Sequence, residues 1–182
     1  MSERQAKHLL GGIAAGVVGG LVGSWLMMRF IEGPGPFLQQ ALGSGAADDS
    51  GGQQQNHAAS VDPDNNVTMQ AADTFVRAAT GGRHLTYEDK LRGGTVVHYA
   101  FGAVMGGLYG GAAEFSSIVG LGLGSAFGTL LWAGTDLVAV PAVGFAALPT
   151  EEPTSAHVAH WLAHVVYAVG MESSRRLMRA AL

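Results

Sequence analysis

The chain lacks cysteine altogether and carries little charge. None of its 182 residues is cysteine, which excludes disulfides, thiolate nucleophiles and cysteine-based zinc sites. Charged residues make up only 13% of the sequence, about half of what soluble globular proteins carry. The formal net charge is −4 and no dense basic patch is present, so we expect no nucleic-acid partner.

What the chain has instead is hydrophobic sequence, 48% of its residues, arranged in four apolar stretches. Each is close to the ~20 residues that cross a ~30 Å hydrocarbon core as an α-helix. The sequence therefore predicts an all-α, polytopic membrane protein with four transmembrane helices, in contact with the lipid bilayer. The stretches run over Leu9–Phe30, Gly94–Glu114, Ile118–Ala139 and Ser155–Met171.

Between and around these stretches the chain divides into four parts. Residues 1–30 form the N-terminal tail and first span, and 31–65, rich in glycine and polar residues, predict a flexible linker. Residues 66–92 predict extramembrane helix, with an amphipathic segment over Val67–Thr80 whose face carries Val67, Ala71, Phe75 and Ala79. Thr86 and Asp89 form a capping pattern for a further helix, kinked near Gly93–Gly94. Residues 93–182 form a three-helix membrane domain with a basic C-terminal tail.

The basic residues near the chain ends predict the orientation. Arg4 and Lys7 precede the first span, and Arg175, Arg176 and Arg179 follow the fourth. The connection between the third and fourth spans has acidic but no basic residues. Because Lys and Arg accumulate on the cytoplasmic side, we expect both termini in the cytoplasm.

Glycines recur every four residues in three of the spans. Residues four apart share a helix face, so each ladder is a groove that lets another backbone approach closely. Two interpretations stay open: packing within one bundle alone, or packing together with a homo-oligomer or a larger membrane complex. The ladders are Gly12, Gly16 and Gly20; Gly102, Gly106 and Gly110; and Gly120, Gly124 and Gly128.

Polar side chains collect at one end of the predicted bundle, where spans two and four begin and span three ends. Ionisable groups inside a membrane are costly and are functional hypotheses. Four interpretations stay open: interhelical hydrogen bonding, a proton-linked role, a transition-metal site, or a haem held by His98 and His164. We expect no cofactor, with haem or a transition metal as the alternatives. The cluster comprises His98, Asp136, His157, His160 and His164.

At the opposite end, ion pairs are expected among Glu114, Glu172, Arg175 and Arg176. Their positions place them at the level of the lipid headgroups. The simplest interpretation is a belt of interfacial salt bridges, and the alternative is a second polar site.

The sequence also resembles a known family. The resemblance is carried by His98-Tyr-Ala-Phe-Gly, Gly107-Leu-Tyr-Gly-Gly, Asp136 before Val140-Pro141, His164-Val-Val-Tyr, and Glu172 leading to Arg175-Arg176. Together these are similar to the YagU-like family of bacterial inner-membrane proteins, a domain of unknown function. The resemblance implies a multi-pass inner-membrane protein loosely associated with acid or stress tolerance, and no catalytic residue to transfer.

These observations predict a non-enzymatic membrane bundle in envelope or acid-stress physiology. It would associate with itself or with a larger complex, and its histidine–carboxylate cluster would respond to protons. Two alternatives stay open: an accessory subunit of a respiratory or photosynthetic complex that binds haem or metal through His98 and His164, and a small transporter.

Overall fold

The protein is built from helices throughout the part that the structure, a computed structural model, describes: residues 2–43, 66–146 and 148–181. No strand occurs in these ranges, which confirms the predicted all-α class. The helices are α1 (Glu3–Glu32), α2 (Pro34–Gly43), α3 (Val67–Thr80), α4 (Tyr87–Ala113), α5 (Ser125–Gly134) and α6 (Thr154–Ala181). Helix α5 continues through a π-helical segment (Thr135–Ala139) and a last turn (Val140–Ala142), and a short 3₁₀ turn (Pro149–Glu151) precedes α6.

Helix α1 packs between α4 and α6, antiparallel to both. Glycines of α1 and α4 lie so close that a Cβ on one would meet the backbone of the other. No side chain larger than hydrogen fits at these points unless the helices separate. The facing pairs are Gly12 with Gly110, Gly16 with Gly106, and Gly20 with Gly102.

A second close contact joins α1 to α6. A Cβ on Gly19 would lie 2.5 Å from the Met171 carbonyl oxygen, and one on Gly23 would lie 2.5 Å from that of Tyr167. Tyr167 and Met171 are almost fully buried and form the core of the bundle together with Tyr109 and Ala168. Helix α6 in turn packs against α5, where a Cβ on Gly128 would lie 2.6 Å from the His164 carbonyl oxygen.

Two helical stretches, Gln5–Glu32 and Ser117–Ala142, are long and apolar enough to cross a membrane. They correspond to the first and third predicted spans. Helix α4 begins seven residues before the predicted second span, and α6 continues ten residues beyond the predicted fourth.

The helix predicted over Val67–Thr80 has its predicted bounds. Helix α3 spans Val67–Thr80, is capped by the Asn66 side chain and ends at Gly81, whose φ of 74° is left-handed. The face that packs inside the protein is not the one that carries Phe75, which is 70% exposed; the buried residues are Met69, Ala72 and Asp73. Tertiary packing against α4 selects this face.

The kink predicted near Gly93–Gly94 is absent, and the packing of α3 against α4 explains why. Helix α4 is continuous and begins after Thr86, whose hydroxyl accepts from the Asp89 amide as expected. A Cβ on Gly93 would lie 2.8 Å from Ala72, and one on Gly94 would lie 2.8 Å from Met69. These glycines make room for α3 rather than breaking α4.

The predicted flexible linker was wrong in its first third, because residues 34–43 form α2. Proline is well placed at the first position of a helix, where its missing N–H needs no partner. Pro34 occupies that position, and α2 then packs against α6. The rest of the predicted linker, residues 44–65, lies outside the described residues.

The third predicted span is not one regular helix. Residues 117–124 form 3₁₀ turns interrupted by left-handed backbone at Gly122, Leu123 and Gly124, with φ of 61°, 53° and 81°. The ladder of Gly120, Gly124 and Gly128 therefore does not lie along a single α-helix, although all three glycines contact α6. A four-residue spacing in sequence does not require a helix where glycine also permits a left-handed turn.

Candidate functional site: two polar clusters at opposite ends of the bundle

Asp136 lies in the π-helical segment that follows α5. Such segments insert one extra residue into a helix and occur frequently at functional sites. The Thr135 hydroxyl lies 2.7 Å from the Leu131 carbonyl oxygen and 2.9 Å from Asp136 Oδ1. The Asp136 side chain is 26% exposed and is directed toward two histidines of α6.

Those histidines are His160 and His164, one helical turn apart. His160 Nδ1 lies 3.7 Å from Asp136 Oδ2, and His164 Nε2 lies 3.7 Å from Asp136 Oδ1. His164 Nδ1 is 2.9 Å from the His160 carbonyl oxygen. Because a carbonyl oxygen only accepts, Nδ1 carries the proton, and in the neutral ring the Nε2 lone pair faces the carboxylate. An added proton on Nε2 would turn this repulsive arrangement into an ion pair.

The two other predicted members of the cluster have backbone partners of their own. His157 Nε2 donates to the Pro149 carbonyl oxygen at 2.8 Å, and its ring packs edge-on against Trp132. His98 Nε2 donates to the Ser24 carbonyl oxygen at 3.1 Å and so joins α4 to α1. The structure thus brings Asp136, His160 and His164 into direct contact, whereas the hydrogen bonds of His98 and His157 go to backbone carbonyl oxygens.

This arrangement bears on the metal hypothesis. Within the described residues, no group of three or more histidine, aspartate or glutamate side chains is arranged to hold a metal ion. For the haem hypothesis, the Nε2 proton of His98 is already donated to Ser24 and the Nδ1 proton of His164 to His160. Each ring would have to bind iron through its remaining nitrogen, and the haem assignment stays a prediction.

At the opposite end of the bundle, Glu172 is fully buried and holds two arginines. Arg175 Nε and Arg176 Nε each lie 2.6 Å from its carboxylate oxygens. Arg176 also donates from Nη2 to the Gly120 carbonyl oxygen at 2.8 Å, which ties α6 to the irregular segment before α5. Burying a carboxylate is tolerated only when it is paired and hydrogen-bonded in this way.

Glu114 is the second carboxylate of this group and pairs mainly with Arg179. Arg179 Nε lies 3.0 Å from Glu114 Oε1, its Nη2 donates to Oε2 at 3.0 Å, and Arg175 lies 3.8 Å away. We call these five side chains the arginine–glutamate network. Three guanidinium groups against two carboxylates leave it one positive charge.

Arg179 was missed as a site residue, because the sequence analysis used it only to predict the orientation. The signal was available: Glu172, Arg175, Arg176 and Arg179 follow three- and four-residue spacings along one helix face. On the α1 side, a Cβ on Gly12 would collide with Glu114, and one on Gly11 would lie 2.8 Å from Arg179. The network therefore connects α1, α4 and α6.

Comparison with known proteins assigns a family but no activity. Residues 67–173 match the family described as a protein of unknown function, DUF1440. The match includes Asp136, His160 and His164 as well as Glu114 and Glu172, and it excludes α1 and α2. No curated protein and no solved structure matches the chain. Because the matched segment is more than half of the sequence, the chain belongs to the DUF1440 family.

Proposed function

We propose that this protein is a four-span, non-enzymatic bundle of the bacterial inner membrane. The proposal is supported by the way in which α4 and α6 lie alongside α1. Helix α1 is long and apolar enough to span a membrane. Residues 102–110 of α4 contact residues 12–20 of α1, and residues 167–171 of α6 contact residues 19–23. Since these contacts are backbone to backbone, a bilayer that surrounds α1 also surrounds the middle of α4 and α6.

The outward surface supports the same assignment. Large apolar side chains face away from the bundle along the third span, where Leu121, Leu130 and Val138 are 61%, 72% and 64% exposed. Contiguous apolar surface of this kind is typical of contact with a membrane or with another protein. The YagU-like resemblance and the basic residues beside the C-terminus favour an inner membrane with cytoplasmic termini.

Within this bundle, the function that the geometry supports best is a response to protons in envelope or acid-stress physiology. One observation carries it: Nε2 of His164 faces the Asp136 carboxylate at 3.7 Å, while the other ring nitrogen is committed to a carbonyl oxygen. His160 Nδ1 lies 3.7 Å from the second carboxylate oxygen, and the Thr135 hydroxyl oxygen lies 2.9 Å from Asp136 Oδ1. A proton added between these groups would convert their contact into a charged, hydrogen-bonded pair, which is the response that we propose.

Nitrogen NMR of the histidine rings tests this function. The full chain, with ¹⁵N in its histidine rings, would be placed in nanodiscs, and the His164 signals would be assigned by their loss in His164→Gln. At high pH we expect the Nδ1–H tautomer, and on acidification both nitrogens should become protonated. In Asp136→Asn the side-chain amide can donate to Nε2, so His164 should stay neutral over the range in which the wild type gains its proton.

The matched control is Glu88→Gln, an exposed carboxylate in the first turn of α4 that should leave the His164 signals unchanged. A cellular measurement adds the physiological link: acid survival of a deletion strain should be restored by the wild type and by Glu88→Gln, and not by Asp136→Asn. The function is refuted if His164 gains its proton in Asp136→Asn as it does in the wild type.

Association with a second copy or a larger complex stays a prediction. An apolar groove of about 330 Å³ runs along α1 and α4, with Ile13 and Val17 on one side and Val104, Gly107 and Leu108 on the other. Lipid chains or another helix would fill it in a membrane. Cross-linking in native membranes between single cysteines placed at this groove distinguishes the two.

A further inference from the structure

A polar cavity lies outside the predicted spans, between α3, the first turn of α4 and the turn after Val140–Ala142. It has a volume of about 250 Å³. Four residues of α3, at spacings of three and four, place their side chains along one wall. The lining consists of Gln70, Asp73, Thr74 and Arg77 from α3, Lys90 from α4, and Val143, Gly144 and Phe145.

The walls of the cavity are fixed by specific contacts. Gln70 Nε2 donates to the Phe145 carbonyl oxygen at 3.1 Å and so joins α3 to the far wall. On the near side, the absence of side chains at Gly93 and Gly94 allows α3 to lie close against α4. Gly144, with φ of 75°, allows the turn to pass without a side chain at that point. The cavity therefore exists before any ligand arrives.

The carboxylate in this cavity is already committed. Asp73 is 7% exposed; its Oδ1 accepts from the Leu85 amide at 2.7 Å, and its Oδ2 lies 2.9 Å from His84 Nδ1. The Leu85 amide, with His84 and Lys90 nearby, holds the pKa of this carboxyl below its usual range despite burial. Asp73 thus stays ionised and anchors the loop between α3 and α4.

The lining also carries two cations, Arg77 from α3 and Lys90 from α4. Across the ranges that the structure describes, the Arg77 guanidinium has no carboxylate partner and the Thr74 hydroxyl has no hydrogen bond. Both side chains are exposed to the cavity mouth, so donors remain available to a ligand that brings negative charge.

We propose that this cavity binds a phosphate group through Arg77, Lys90 and Thr74. Arginine presents parallel N–H groups that match two oxygens of a phosphate, and lysine adds a point charge. The volume lies just below the ~300–1,000 Å³ of pockets for drug-sized ligands, which suits a headgroup or a small phosphate ester. The same chemistry is found in a phospholipid at the membrane surface and in a water-soluble phosphate ester.

Titration calorimetry on the full chain in a phosphate-free maltoside detergent tests the proposal. Two probes distinguish the sources: glycerol 3-phosphate for the soluble ester and short-chain phosphatidylglycerol for the lipid. We expect saturable binding of at least one, weakened about 10- to 100-fold in Arg77→Gln, since hydrogen bonds to charged groups contribute that much. Binding of only one probe identifies the source, and binding of both shows that the phosphate itself is recognised.

The matched control is Arg83→Gln, which removes an arginine from the same loop region but outside the cavity lining. It should bind as the wild type does, while Lys90→Gln should weaken binding in the same direction as Arg77→Gln. Unchanged thermal unfolding in all three variants verifies that the fold is intact. If neither probe binds the wild type, or if Arg77→Gln binds as tightly as Arg83→Gln, the proposal is overturned. The soluble-ester arm does not depend on how many helices cross the membrane.

Discussion

Replacing Gly106 with alanine should separate α1 from α4. A Cβ at this position would collide with the Gly16 carbonyl oxygen and lie 2.8 Å from Gly20 Cα. Ordinary contact begins at 3.4 Å, so the Gly20 backbone has to retreat by 0.6 Å, and the neighbouring glycine contacts loosen with it. Because every colliding atom belongs to backbone, no side-chain rotation relieves the clash. Overpacking of this kind costs about 1–3 kcal/mol.

Gly134→Ala is the matched control, because its Cβ would meet nothing within 4 Å. Both substitutions gain the same intrinsic helix propensity, about 1 kcal/mol, so the difference between them isolates the packing cost. Reversible unfolding of the two variants in mixed micelles measures that difference, and Gly106→Ala should be about 1–3 kcal/mol less stable. Equal stabilities, within about 0.5 kcal/mol, would refute the account of close helix contact.

Three further predictions concern single polar contacts. Glu172→Gln leaves two arginines without their buried carboxylate and should destabilise the protein by about 3–5 kcal/mol, whereas Glu3→Gln in an exposed ion pair should cost at most about 0.5 kcal/mol in the same unfolding assay. Because the pKa of Asp73 is lowered in the folded protein, its stabilisation is complete above the ordinary value of 3.8 and is lost as pH falls through the lower folded value. Asp73→Asn should remove this acid-dependent loss, measured by hydrogen exchange of residues 67–90 corrected for intrinsic rates. Tyr167→Phe loses a buried 2.7 Å hydrogen bond and should cost about 0.6–1.7 kcal/mol, against no measurable change for the exposed Tyr87→Phe.

Local signals in the sequence predicted the helices well. The α3 bounds, the Gly81 cap and the Thr86 cap all rest on short-range chemistry, and each is present in the structure. The pairing of Glu172 with Arg175 and Arg176 is also local, since three- and four-residue spacings on a helix place these groups side by side.

Features that depend on tertiary contact were not predictable in the same way. The role of Gly93 and Gly94 is set by α3 on the other side, and nothing within α4 distinguishes a packing glycine from a break. Likewise, the hydrogen bond of His98 follows from the position of α1, whose Ser24 carbonyl oxygen takes the His98 proton. The spacing of residues in the sequence predicts how deep along a bundle they lie, but not where they lie around the bundle axis.

The cavity at α3 illustrates the same limit. Asp73 and His84 lie eleven residues apart, and their contact requires the loop between α3 and α4 to fold back. Predicting this contact from the sequence would require knowing which face of α3 packs against α4, and the apolar spacing indicates a different face. A carboxylate at the centre of an otherwise small, apolar face was the available signal.

The most direct test of the account is the side of the membrane on which three single cysteines lie. Because the chain has no cysteine, Ser2→Cys, Ser117→Cys and Thr150→Cys each introduce a single labelling site. Labelling intact cells and inverted vesicles with an impermeant maleimide should place positions 2 and 117 on one side and position 150 on the other, as four spans require. If positions 2 and 117 lie on opposite sides, an odd number of spans separates them, and the four-span account is contradicted.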